Sequence, residues 1–118
     1  MNKYKLQYWI YAILNKKFGS EVKFHRDSLH LIYEVNRHSF EVSTNTTRIS
    51  NVKDWLFNKL KESNFEYKID GGLKFFSKNF ENKEFVISFH EQNCGLDYVN
   101  SNKPVLILSI YSYQKPSK

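Results

Sequence analysis

Residues 105–113, Val-Leu-Ile-Leu-Ser-Ile-Tyr-Ser-Tyr, form the longest nearly uninterrupted apolar run of the chain. The run follows Asn102-Lys103-Pro104, a turn signal, and ends before a polar tail. Both alternating sets are apolar: Val105, Ile107 and Tyr111 on one, Leu106, Leu108 and Ile110 on the other. A strand with one wet face would alternate, so this one is expected to be covered on both. The remaining chain must then supply strands beside it and helices over it.

Working backwards, residues 85–91 (FVISFHE) read as a strand and residues 78–83 as a polar loop around Phe80. Residues 73–77 and the alternating Phe65, Tyr67 and Ile69 read as a hairpin joined at Asp70-Gly71-Gly72. A helix is expected over 52–63, with Val52, Trp55, Leu56 and Leu60 as its apolar stripe and Ser50 or Asn51 as its cap. Residues 43–51 are a polar connection. Upstream, 21–26 and 29–36 read as strands, 36–39 as a tight turn, and 40–42 as a return strand that sets Val35 opposite Phe40 and Tyr33 opposite Val42. Residues 3–18 read as a helix. Leu6, Ile10, Ile13, Leu14 and Phe18 line one face, Gly19 terminates it, and Lys16 and Lys17 suit its C-terminal end.

The expected fold is therefore α+β, a mainly antiparallel sheet with two helices packed on it, in the order α-β-β-β-α-β-β-β-β. A chain of 118 residues is expected to be one domain. Its halves echo one another. Trp9-Ile10-Tyr11 before Leu14 matches Trp55-Leu56-Phe57 before Leu60, and Phe40-Glu41-Val42-Ser43 matches Phe85-Val86-Ile87-Ser88. A duplicated α-β-β-β unit and chance similarity of amphipathic elements both account for this.

Composition is that of a globular protein, 41% hydrophobic and 25% charged, with aromatics high at 17%. Lys (fifteen), Asn (twelve) and the aromatics belong to AT-rich codons, so base composition accounts for part of their excess. The net charge of +6 favours polyanionic or acidic partners. It is concentrated in residues 1–59, with ten Lys/Arg against five Asp/Glu, whereas 60–118 carry eight against seven. The lone Cys94 excludes an intrachain disulfide and a multi-cysteine metal site. The apolar run at 8–14 is too short to cross a bilayer and lacks a cleavage signal. The expectation is a cytoplasmic protein that does not enter membranes.

No motif marks an enzyme or a cofactor site. His25, Arg26 and His30, near Arg37 and His38, offer the base, acid and cation that metal-free RNA cleavage needs, though at no fixed spacing. His90-Glu91-Gln92-Asn93-Cys94 shares two positions with the zinc signature His-Glu-x-x-His but has Cys for the second His and sits at a strand end. Neither a metal nor another cofactor is expected. Tyr4, Tyr8 and Tyr11 form a stripe beside the core face of the first helix, suited to flank the core or to touch a partner. With Arg37, His38, Asp97 and Tyr98 they make the expected protein-binding set. The expectation is a non-enzymatic protein-binding module acting as an inhibitor by steric occlusion, as immunity proteins and phage anti-defence proteins do. A basic chain does not suit the basic nuclease toxins among such targets and favours an acidic surface. The alternative is nucleic-acid binding, or ribonuclease activity, by the basic first half.

Overall fold

The computed structural model describes residues 2–26, 38–92 and 104–114. Two helices, α1 (Lys3–Phe18) and α2 (Ile49–Glu62), pack on an antiparallel sheet of six strands: β1 (Val22–Arg26), β2 (His38–Thr44), β3 (Glu66–Asp70), β4 (Leu73–Phe80), β5 (Lys83–Gln92) and β6 (Val105–Gln114). The sheet order is β1-β2-β6-β5-β4-β3. The run at 105–113 thus becomes a central strand, and every residue from Val105 to Ile110 is buried.

Alternation along the strands gives the sheet two faces. The helix face carries Phe24, Phe40, Val42, Leu106, Leu108, Ile110, Ile87, Phe85 and Phe76. Leu6, Ile10 and Leu14 of α1 and Val52, Leu56 and Leu60 of α2 close over it as one fully buried core. One row across the sheet, Ile110-Ile87-Phe76-Tyr67, lies partly beneath Phe57 of α2, whose ring meets those of Tyr67 and Phe76 at 5.7 and 4.9 Å. Burial of each large side chain stabilises by about 1.5–3 kcal/mol before entropy is counted.

Both helices obey the spacing of their apolar residues, but their ends differ. The Asn2 side chain accepts a hydrogen bond from Lys5 N–H at 2.9 Å, capping α1, and Gly19 ends it with φ of 59°. Helix α2 starts at Ile49, earlier than the expected Ser50 or Asn51 cap allows. Ile49 is buried, and its packing extends the helix by a turn with Arg48 at the cap position and no side-chain capping bond.

Three further expectations change. His38 and Ser39 belong to β2 rather than to a turn. Both edges of β2 are occupied, so Phe40 and Val42 pair with Arg26 and Phe24 on one side and with Leu108 and Leu106 on the other, not with residues 35 and 33. The polar loop expected over 78–83 is a two-residue turn, Glu81-Asn82, with Glu81 at φ of 55°. Lys78 concealed it. This lysine occupies a helix-face position, donates to the Ser63 carbonyl at 2.7 Å, and lays its charge 5.4 and 5.0 Å from the Phe65 and Phe80 ring centres. Its stem fills an apolar site while its ammonium reaches a partner.

The strand expected over 29–36 lies outside the described residues. Of the echoed halves, each has a helix before its strands, but β1 pairs directly with β2 whereas β3 and β5 flank β4. No helix among the described residues is long and apolar enough to cross a membrane.

Candidate functional site

The other face of the sheet carries no described helix. Toward β2 and β6 its residues are buried, among them Glu41, Val105, Ile107 and Ser109, with Ser39 Oγ 2.9 Å from Ser109 Oγ. Toward β3, β4 and β5 it opens into a concavity of about 1000 Å³. The floor is made by Phe75, Val86, Ser88 and Tyr111, and the walls by Leu73, Ile69 and Tyr113 with Glu66, Lys68, Asp70, Lys74 and Glu84.

The local sequence explains the shape. Asp70-Gly71-Gly72-Leu73 reverses the chain with φ of 56° and 85° at the two glycines, a turn for which side chains other than glycine are poorly suited. The β3–β4 hairpin then carries Leu73 on the open face, 71% exposed, and Ile69 on the helix side beyond the covered core, 65% exposed. Tyr111 and Tyr113 are two apart in β6 and project to the same side, their rings parallel within 6° at 6.5 Å. Tyr113 is 54% exposed. Lys68 and Glu84 pair across the concavity at 3.7 Å. Three acids and two lysines line it, so apolar surface with a charge-mixed border is what it offers.

The expected site residues scatter. On α1, Tyr4 and Tyr8 are 58% and 55% exposed, on a helix with four lysines and no acid. Tyr11 is half-buried: its ring lies 4.3 Å from Phe24 and 5.0 Å from Phe40, and its hydroxyl accepts from Gln7 Nε2. Its ring packs against the core, because the third residue of the stripe rotates toward β1 and β2. His25 is exposed on β1 opposite Glu41, with Nε2 3.4 Å from Ser43 Oγ. Arg26 pairs with Phe40 and His38 with Ile110 in the ladders. His30, Arg37, Asp97 and Tyr98 lie outside the described residues. Of the ribonuclease set, only His25 has a described side chain.

His90 is exposed near the end of β5, and Glu91 beside it is bridged to Lys53 at 3.0 Å. Among the described residues no cluster of three or more His, Cys, Asp or Glu is placed to hold a metal.

The polar connection after β2 is tied to the start of β1. Glu21 accepts from Thr46 N–H, Thr47 N–H and Thr46 Oγ1, and Asn45 Nδ2 donates to the Ser20 carbonyl at 3.0 Å. The Thr47 and then the Thr46 backbone donors hold the Glu21 carboxyl below the usual carboxylate range.

The concavity was missed from sequence. Its signal was present in Leu73-Lys74-Phe75-Phe76, where Leu73 and Phe75 make one alternating set apolar and Phe76 adds an apolar residue to the other, immediately after a Gly-Gly turn. No protein-family model matches the chain, and no curated protein or solved structure matches it either.

Proposed function

We propose that this protein is a non-enzymatic protein-binding module whose concave face over β3–β6 receives an apolar protrusion of a partner protein, and that it inhibits the partner by occluding the surface it covers. The observation carrying this reading is the concentration of exposed Leu73 and Tyr113 around one concavity of about 1000 Å³. Grouped exposed apolar side chains within a polar border are what interfaces use, whereas isolated ones are ordinary surface. Leu73 and Tyr113 are the anchors, and Glu66, Asp70 and Lys74 form the rim. The chain's net charge of +6 lies mostly elsewhere and would draw in a partner with an acidic surface, setting rate more than affinity.

Capture from native cells with a tagged chain, with and without nuclease, tests it. A partner that survives nuclease and is lost on Leu73→Asp supports the reading. A partner retained equally by Leu73→Asp refutes the assignment to this face.

One observation favours a second reading. Tyr4 and Tyr8 stand exposed on a helix with four lysines and no acid, the combination of stacking rings and cations that holds single-stranded nucleic acid. That reading requires binding to RNA or DNA in low salt that weakens steeply as salt rises.

A further inference from the structure

We propose that the protein pairs with a second copy of itself, edge to edge and antiparallel along β3, with Tyr67 at the two-fold axis. This goes beyond the partner-binding reading and does not depend on it.

β3 is the outermost strand of the sheet, and among the described residues no strand lies beside it. An open strand edge presents unpaired N–H and C=O groups that a further strand can use. The strand's own sequence, Glu66-Tyr67-Lys68-Ile69-Asp70, dictates which strand fits. Turned about Tyr67, Glu66 lies opposite the partner's Lys68, and Lys68 opposite the partner's Glu66. Charge thus meets opposite charge, while Phe65, just before the strand, stays buried in its own core. Directly opposed pairs of this kind are the unit of stabilisation between antiparallel strands.

Neighbouring registers fit less well. Turning the strand about Lys68 sets lysine against lysine and Glu66 against Asp70. Turning it about Ile69 brings Gly71 and Gly72 into the ladder, and their φ values of 56° and 85° belong to a turn.

A contact one strand long falls near or below the roughly 1,000 Å² of a stable interface. Self-association is therefore expected to be weak and to emerge only at high concentration. Sedimentation equilibrium up to about 1 mM, where weak complexes populate, is expected to show a monomer–dimer equilibrium. Glu66→Lys, at an exposed position that leaves the Lys68–Glu84 bridge intact, is expected to weaken it roughly tenfold. Lys68→Glu combined with Glu84→Lys reverses that bridge and is expected to weaken it comparably. Mixing the two variants restores opposite charges at both pairs, so a heterodimer of wild-type strength is expected. Circular dichroism and melting confirm that each variant is folded. A folded wild type that stays monomeric at the highest concentration overturns the proposal. So does a dimer unchanged by Glu66→Lys, or a mixture of folded variants that fails to associate.

Discussion

Two surfaces of this molecule expose aromatic rings, in different electrical settings. On α1, Tyr4 and Tyr8 stand on a helix with four lysines and no carboxylate. On the concave sheet face, Tyr113 and Leu73 stand among three acids and two lysines, and one of the lysines is already bridged to Glu84. A polyanion gains from the first surface and little from the second. A folded protein surface with its own mixed charges and an apolar knob gains from the second, where burial of Leu73 and Tyr113 removes apolar area from water. Net charge alone therefore does not identify the functional face. The charge and the apolar concavity are on different parts of the chain.

The largest effects separate structural from surface tyrosines. Tyr11→Ala removes a ring packed on Phe24 and Phe40 and is expected to cost about 2–4 kcal/mol in chemical denaturation. Tyr8→Ala, one turn earlier on the same helix, is expected to stay within about 0.5 kcal/mol of wild type. Equal losses would place the whole stripe in the core and remove α1 from the comparison.

Next in size is nucleic-acid binding, if α1 supports it. With four lysines engaged, affinity for a single-stranded oligonucleotide is expected to fall about fiftyfold between 50 and 200 mM salt. Partner capture by the concave face should change only a few-fold over the same range. A common salt dependence would mean that one surface serves both. Leu73→Asp should then weaken partner binding about thirtyfold, the cost of one central anchor, with little change in melting temperature because the side chain is exposed.

The smallest effect concerns the turn after β2. Glu21 has its carboxyl lowered in the folded state, so its contribution is present above its unfolded pKa. It is lost as pH falls from the ordinary carboxylate range through the lowered value. Thermal melts of wild type are expected to show this acid-side decline, and Glu21→Gln to reduce it.

The strands and helices were legible because burial is periodic. Leu6, Ile10 and Leu14, or Val52, Leu56 and Leu60, declare a helix and its buried face together. Val105–Ile110 declared a doubly covered strand. Legibility failed where one side chain does two jobs. Lys78 sets its ammonium against two aromatic rings at a helix-face position and so reads as loop, and Ile49 begins a helix through tertiary packing without a capping side chain. The concave face was hidden for a different reason. Leu73, Phe75, Val86, Tyr111 and Tyr113 come from three strands, and only the sheet order brings them together. Tyr11 shows the converse: helical spacing grouped it with Tyr4 and Tyr8, but β1 and β2 lie close enough to half-bury it.

The most direct test of the central claim is capture from native cells after nuclease treatment at moderate salt, comparing wild type, Leu73→Asp, and Tyr4→Ala with Tyr8→Ala. The concave face as binding site predicts one protein partner retained by the wild type and the tyrosine variant and lost by Leu73→Asp. Recovery of nucleic acid alone, or loss of the partner only in the tyrosine variant, would contradict it and assign the function to α1.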